Sequence, residues 1–242
     1  KVDAFARALD ISPTAPVRVL SATKYALSYN GAVNGHTCLP LDKLSAAVAA
    51  IIEVGEADVY KQICDFIGEG ELSCYKVNEV PYVMTCEVYD AERSIAKRIN
   101  ELEEAAIHFS NADIHAMLER LECDIGIEYA ALQKEAIFEA LSGGVMILTG
   151  GPGTGKTTVV KALLSIFRDL GLKCVLAAPT GRAAKRMSEA TSEEAKTIHR
   201  MLEMERNGDF QTRFGRNATT PLDENVIIID EASMIDLALM HS

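Results

Sequence analysis

The spacing of apolar residues in the first 90 positions predicts three helices followed by two extended segments. Apolar side chains recur every three or four residues in 17–30, 44–51 and 59–67, as they do on the buried face of a helix. Residues 72–77 and 82–89 lack that period and hold valine and tyrosine at several positions, which is typical of strands. Three helices followed by a strand pair predict a mostly helical, winged-helix-like module.

The same helical spacing continues after the strand pair. Apolar stripes over 91–106 and 114–121 predict two further amphipathic helices, the second of which would link two domains. We therefore expect a helical, winged-helix-like N-terminal domain over 1–110, a linker helix over 111–128 and a second domain over 129–242.

The pattern changes near residue 130, where short continuous apolar runs alternate with helical stripes. Three such runs are Val145–Thr149, Cys174–Ala178 and Val226–Ile229. Continuous apolar runs are expected of parallel strands whose two faces are both covered by helices. The second domain is therefore predicted to be α/β, with a parallel sheet.

A glycine-rich loop follows the first of these runs. Residues Gly150–Thr157 match the pattern G-x-x-x-x-G-K-[ST] between a predicted strand and a predicted helix, which is the context that a P-loop requires. In such a loop the backbone N–H groups surround a phosphate, Lys156 reaches the β- and γ-phosphates, and the Thr157 hydroxyl binds Mg²⁺. The residues predicted to contact the nucleotide here are Gly151, Pro152, Gly153, Thr154, Gly155, Lys156, Thr157 and Thr158.

Two carboxylates end the third apolar run. Asp230 and Glu231 follow Val226–Ile229 directly. A P-loop enzyme needs a carboxylate near its metal ion, so we expect Asp230 to contribute to the Mg²⁺ site and Glu231 to orient and deprotonate the attacking water. Together with Lys156 these residues predict hydrolysis of the nucleotide rather than binding alone.

Charge is distributed unevenly along this acidic chain of net charge −11. Residues 1–130 hold 11 basic and 21 acidic side chains, whereas the remainder holds 13 and 14. Phosphate contacts are therefore expected in the second half, where 173–216 is locally basic, and the acidic first half favours a structural or protein-contact role over duplex binding.

No apolar run is long enough to span a bilayer, and we expect a cytoplasmic protein without membrane contact.

Further motifs in the second half resemble those of RecD-like superfamily 1 DNA helicases. The similar segments are Ala178–Arg186, Thr197–Leu202 and Asp230–Asp236, in addition to the glycine loop. The resemblance identifies the chain as the N-terminal portion of such a helicase, with the first half of the motor in a RecA-like domain. It implies an ATP-driven, Mg²⁺-dependent motor that moves 5′ to 3′ on single-stranded DNA and separates duplex junctions alongside recombination and repair proteins.

The resemblance also implies roles for individual residues. Gln133 corresponds to the glutamine that reads the adenine edge, although a solvated helical glutamine is the competing interpretation. The segments that contact the DNA strand correspond to Pro179, Thr180, Gly181, Arg182, Thr197 and His199. For Thr197 and His199 the alternative is a capped helix with an inward-facing histidine, and for Lys185 and Arg186 it is a solvated helix face.

Two other functions remain open at the level of the sequence. The chain could be a P-loop ATPase of the clamp-loader or assembly type, which uses ATP as a switch between protein partners. Alternatively, the N-terminal region could be the functional unit, with the ATPase secondary to it. Because the helicase family uses a second RecA-like domain to close the ATP site, we expect these 242 residues alone to hydrolyse ATP very slowly.

Overall fold

The computed structural model describes residues 11–206 and 212–242, which form two compact units. Within the described residues, the first unit covers 11–95 together with Asp236–His241, and the second covers 96–206 and 212–235 with Ser242. The first ten residues of the predicted N-terminal domain lie outside the described part. The domain limits expected from the sequence stay a prediction.

Three helices form the core of the first unit: α1 (Pro16–Asn34), α2 (Leu41–Ile52) and α3 (Glu56–Gly68). Helix α1 begins with proline, whose missing N–H costs nothing in the first turn, and it ends at Gly35 in the left-handed conformation. Side chains from all three helices are fully buried against one another, among them Val19, Leu44, Val48, Val59 and Ile63. The predicted stripe of the first helix is displaced, because Val17 and Tyr25 are exposed and Val19 is buried instead. All three helices expected from the apolar spacing are present.

A three-stranded antiparallel sheet completes the first unit. Strands β1 (Leu39–Pro40), β2 (Leu72–Val77) and β3 (Val80–Thr85) are ordered β1-β3-β2. The turn between β2 and β3 has only two residues, Asn78 and Glu79, both with positive φ, which is the backbone of the tight hairpin turn that matches strand twist.

The predicted end of the second extended segment is wrong. Strand β3 stops at Thr85, and Cys86–Tyr89 belong to α4 (Cys86–Glu104). The Thr85 hydroxyl accepts a hydrogen bond from the Val88 N–H at 3.4 Å, so its side chain begins the helix. A capping threonine within an apolar stretch ended the strand earlier than the apolar pattern indicated.

The second unit packs three helices around a buried centre: α5 (Asn111–Ile125), α6 (Ala131–Ser142) and α7 (Lys156–Asp169). Ser110 caps α5 by accepting a hydrogen bond from the Asp113 N–H. The shared core contains fully or nearly fully buried side chains from all three helices, including Ile114, Leu121, Ile137, Leu141, Val159 and Ala162.

A parallel sheet of three strands lies in the same unit. Its strands are β4 (Cys174–Ala178), β5 (Ala195–Thr197) and β8 (Val226–Ile229), in the order β5-β4-β8. The runs predicted at 174–178 and 226–229 are thus confirmed as neighbouring parallel strands, with Ala177 opposite Ile229.

Shorter elements surround this sheet. Helix α8 (Gly181–Thr191) follows β4, and α9 (Ile198–Met201) follows β5. A hairpin of β6 (Met204–Arg206) and β7 (Thr212–Phe214) comes before β8. A 3₁₀ turn over Ala232–Met234 comes after β8, and α10 (Leu237–His241) is grouped with the first unit.

The predicted strand Val145–Thr149 is not paired with any strand in the described part of the chain. Ile147 is 89% exposed, and Ile227 and Ile229 of β8 are 45% and 36% exposed. A continuous apolar run predicts burial, but strand formation also needs a backbone partner. Among the described strands, β8 pairs with β4 alone. Its other edge therefore has no neighbouring strand within the described residues.

Among the described helices, none is both long enough and apolar enough to cross a lipid bilayer.

Candidate nucleotide-binding and DNA-binding site

The glycine loop adopts a backbone that requires glycine at two positions. Gly153 and Gly155 have φ values of +76° and +85°, a region that other residues adopt only with strain. Gly155 is also the N-cap of α7, directly before Lys156, and as a glycine it has no side chain that could cap the helix. With no acidic residue in the first turn either, the positive end of α7 is left for an anion from outside.

Lys156 folds back over this loop. Its Nζ donates hydrogen bonds to the carbonyl oxygens of Gly150 and Gly151, at 2.6 and 2.9 Å. The Thr154 hydroxyl donates to the same Gly151 carbonyl at 2.9 Å. These bonds hold the ammonium group within the loop, where its charge adds to that of the helix N-terminus. Thr157 and Thr158 lie on the first turn of α7, and Thr157 is exposed.

Gln133 lies beside the glycine loop. Its Oε1 accepts a hydrogen bond from the Ala130 N–H at 3.1 Å, which fixes the side chain at the start of α6. A Cβ added at Gly155 would overlap the Gln133 Nε2, so the amide group is packed directly against the loop backbone. The structure therefore brings together the residue predicted to read the base and the residues predicted to bind the phosphates.

The start of α6 is held by Glu122 of α5, a residue that the sequence did not single out. Its Oε1 accepts from the Tyr129 N–H at 2.7 Å, and the Lys134 Nζ lies 2.8 Å from Oε1 and 2.9 Å from Oε2. The hydrogen bond from Lys134 makes the larger contribution, and that from Tyr129 the next, to a lowered pKa of Glu122. The hydrogen bond to Glu122 in turn raises the pKa of Lys134. No sequence motif marks this pair, because Glu122 and Lys134 lie on different helices.

Asp230 and Glu231 occupy the end of β8. The Asp230 N–H donates to the Ala177 carbonyl at 3.0 Å, and the Asp230 Oδ1 accepts from the Glu231 N–H at 2.9 Å. Glu231 has φ of +54°, which is an uncommon conformation for a residue other than glycine and costs strain. Both side chains are exposed and available to a ligand.

The residues predicted to contact DNA follow the neighbouring strand. Pro179 and Thr180 come directly after β4, and the Thr180 hydroxyl caps α8 by accepting from the Ala183 N–H at 3.2 Å. Gly181 and Arg182 form the first turn of α8 and are exposed. A threonine-capped helix start with an exposed arginine offers N–H groups and charge to a phosphate.

Thr197 and His199 approach this segment through the sheet. Thr197 pairs with Ala178, the last residue of β4, and its hydroxyl caps α9 by accepting from the Arg200 N–H at 3.2 Å. The His199 ring lies 6.5 Å from the Phe214 ring of β7, centroid to centroid. Thr197 is thus placed opposite Ala178, the residue before Pro179, while His199 is half-buried and its ring lies near Phe214 of the hairpin, which the sequence pattern did not predict.

The arrangement of a glycine loop at a helix start, with a parallel sheet ending in two carboxylates, is that of a P-loop domain. A sequence profile described as an AAA domain matches residues 133–242. The chain is also 30% identical to a protein of Deinococcus radiodurans named ATP-dependent RecD2 DNA helicase, in a match covering 94% of this chain. The chain is RecD-like in sequence, as its motifs predicted.

Two further relatives are named RecBCD enzyme subunit RecD. The protein from Haemophilus influenzae is 36% identical over 54% of this chain, and that from Mycobacterium tuberculosis is 39% identical over 45%. The chain spans about a third of the Deinococcus protein, 32%, and 24% and 22% of the other two. The similarity therefore covers a minor part of each of these longer proteins.

Proposed function

We propose that the chain is part of an ATP-dependent DNA helicase or translocase. The observation that carries this proposal is the pairing of β4 with β8. It joins the Ala177 carbonyl to the Asp230 N–H at 3.0 Å, so the strand that leads into Pro179–Arg182 is hydrogen-bonded to the strand that ends in the catalytic carboxylates. A shift of the proposed DNA-contacting segment would therefore be transmitted to the proposed hydrolytic residues through the backbone pairing of the two strands.

The loop geometry fits the phosphates of ATP. Gly153 and Gly155 adopt positive φ, which lets the loop curl at the start of α7, and the uncapped start of this helix provides a partial positive charge. Lys156 would exchange its hydrogen bonds to Gly150 and Gly151 for the β- and γ-phosphate oxygens, which are better acceptors because they are charged.

The exposed hydroxyl of Thr157 and the exposed carboxylate of Asp230 are the hard oxygen ligands that Mg²⁺ prefers. Bound there, Mg²⁺ would neutralise the charge that develops on the phosphate oxygens. Glu231 would hold and deprotonate the attacking water. Its strained backbone is consistent with a side chain whose position matters for chemistry.

Adenine recognition by Gln133 follows from the hydrogen-bonding capacity of its amide. Adenine presents a donor at N6 beside an acceptor at N7, and a primary amide complements both at once. Oε1 already accepts from the Ala130 N–H but has a second lone pair, and Nε2 lies on the side of the glycine loop. Guanine, which presents acceptors at both positions, would face Oε1 with a repulsive contact.

We further propose single-stranded DNA and duplex junctions as substrates, with 5′ to 3′ movement and with recombination or repair proteins as partners. The names of the relatives, an ATP-dependent DNA helicase and subunits of a RecBCD enzyme, support this assignment. The exposed Arg182 at the capped start of α8, and Thr197, which pairs with the last residue of β4, would contribute to a path for a phosphate backbone.

For the first unit we propose a winged-helix-like module. The order α1-β1-α2-α3-β2-β3 with a three-stranded antiparallel sheet supports this proposal. The excess of acidic residues in the first half of the chain favours a protein contact over duplex binding.

Steady-state ATP hydrolysis by the full-length protein, with and without single-stranded DNA, tests the proposal. We expect DNA to stimulate hydrolysis and the stimulation to fall as salt rises, because phosphate contacts release counterions. An ATP hydrolysis rate that does not change when DNA is added would contradict the helicase assignment. It would favour a nucleotide switch that acts on protein partners.

A further inference from the structure

Glu122 is a well-paired carboxylate at the start of the helix that carries Gln133, although it belongs to none of the RecD-like motifs. Its side chain is only 17% exposed, and it accepts from both the Tyr129 N–H and the Lys134 ammonium group. These two partners make three contacts of 2.7 to 2.9 Å, which join the end of α5 to the beginning of α6. Such a carboxylate holds the backbone at Tyr129 directly and ties α6 to α5 through the Lys134 side chain.

Those two contacts flank the residue that would read the base. Tyr129 precedes the start of α6, and Lys134 is the residue immediately after Gln133. Between them, the Ala130 N–H donates to the Gln133 Oε1 at 3.1 Å and so sets the orientation of the amide. The position of Gln133 against Gly155 therefore depends on the segment that Glu122 holds through the Tyr129 backbone and the Lys134 side chain.

We propose that Glu122 is a positioning residue for base selectivity, which acts through Gln133 and does not touch the nucleotide itself. The inference rests on the proposed function of Gln133 as the adenine reader. Loss of the Glu122 contacts would free Tyr129–Lys134 to shift, so the amide would no longer meet N6 and N7 together. Lys156 and the carboxylates at the end of β8 lie on other elements, so phosphate binding and turnover are expected to persist.

The experiment measures KM and kcat for ATP and for GTP with the full-length protein, in the presence of single-stranded DNA. The variants are Glu122→Ala, Gln133→Ala and the double substitution. Glu119→Ala is the matched control. Glu119 is exposed on the same helix and acts on Lys134 through its charge alone, so the substitution removes one negative charge without removing a hydrogen bond to Lys134. Glu122→Gln is a second variant that keeps an acceptor for the Tyr129 N–H if Glu122→Ala fails to fold.

We expect Gln133→Ala to lower the preference for ATP over GTP in kcat/KM by about tenfold, the scale set by a two-point contact with a base. Glu122→Ala should reproduce most of that loss, mainly through KM, and should add nothing in the Gln133→Ala background. Glu122→Gln should fall between Glu122→Ala and the parent, and Glu119→Ala should match the parent.

Two results would overturn the inference while leaving base reading by Gln133 intact. One is an unchanged ATP preference in Glu122→Ala when Gln133→Ala has lost it. The other is an effect of Glu122→Ala that remains at full size in the double variant, since Glu122 would then act by another route. An unchanged ATP preference in Gln133→Ala would instead refute the proposed role of Gln133, and the inference with it.

Discussion

Arg186 of α8 and Glu231 at the end of β8 form an ion pair, with 3.9 Å between Arg186 Nη1 and Glu231 Oε1. Their side chains are 62% and 44% exposed, so the pair is weak and open to competition. Helix α8 begins at the segment proposed to bind DNA, and Glu231 is proposed to activate water. The pair therefore connects the two activities that a helicase must couple, and a DNA phosphate could compete for Arg186.

Substitution Arg186→Ala is expected to raise ATP turnover without DNA and so to lower the ratio of stimulated to basal turnover. The change should be at most about fivefold, which corresponds to the roughly 1 kcal/mol of an exposed ion pair. Basal and stimulated ATPase rates measure it. Lys185→Ala is the control, because Lys185 lies on the same helix and pairs with Glu189 instead. An unchanged ratio in Arg186→Ala would refute the coupling.

The contact between Gly155 and Gln133 predicts a specific pattern of melting temperatures. Alanine at Gly153 should cost about 1–2 kcal/mol from positive φ alone, because nothing lies within 4 Å of the added Cβ. Alanine at Gly155 should destabilise the protein more, because the Cβ would also overlap Gln133. Adding Gln133→Ala should bring Gly155→Ala back to the level of Gly153→Ala. A double variant no more stable than Gly155→Ala would show that the two residues are not in contact.

Substitutions of the two carboxylates after β8, Asp230 and Glu231, are expected to affect different steps. Glu231→Gln should retain ATP binding and lose hydrolysis by about 100-fold or more, the usual contribution of a positioned base. Asp230→Asn should weaken Mg²⁺-dependent binding of the nucleotide itself. Fluorescent-nucleotide binding and single-turnover hydrolysis distinguish the two effects, and parental hydrolysis in Glu231→Gln would exclude it as the base.

The lowered pKa of Glu122 predicts how stability depends on pH. A carboxyl group whose pKa is lower in the folded state stabilises the protein above its unfolded value of about 4.3, and this contribution disappears as pH falls through the folded pKa. The parent should therefore melt at a higher temperature than Glu122→Gln at pH 7, and the difference should shrink as the pH falls below the unfolded value of about 4.3 and through the lowered folded pKa. A difference that is constant over this range would mean that the charge of Glu122 is not responsible.

Local signals in the sequence were sufficient for the parts of the structure that depend on neighbouring residues. The helix that begins at Lys156 and the turn before it follow from glycines that permit positive φ and from an apolar stripe in 156–169. Strands β4 and β8 follow from short continuous apolar runs. Each of these signals lies within the element that it describes.

Features that depend on distant residues could not be predicted in this way. Val145–Thr149 has the composition of a buried strand, but its pairing depends on a partner elsewhere in the sequence. Glu122 and Lys134 meet only because α5 and α6 pack together, and neither residue belongs to a recognisable motif. The short hairpin beside His199 has too few residues in each strand to show an alternating pattern.

DNA unwinding by the full-length protein and its Lys156→Ala variant tests the central claim most directly. The substrates are duplexes with either a 5′ or a 3′ single-stranded tail, and ATP hydrolysis is followed in the same reactions. The parent is expected to hydrolyse ATP when DNA is present and to separate the 5′-tailed duplex, and Lys156→Ala is expected to lose both activities. Unwinding and DNA-stimulated hydrolysis that persist in Lys156→Ala would contradict the assignment of this glycine loop as the site that drives a DNA motor.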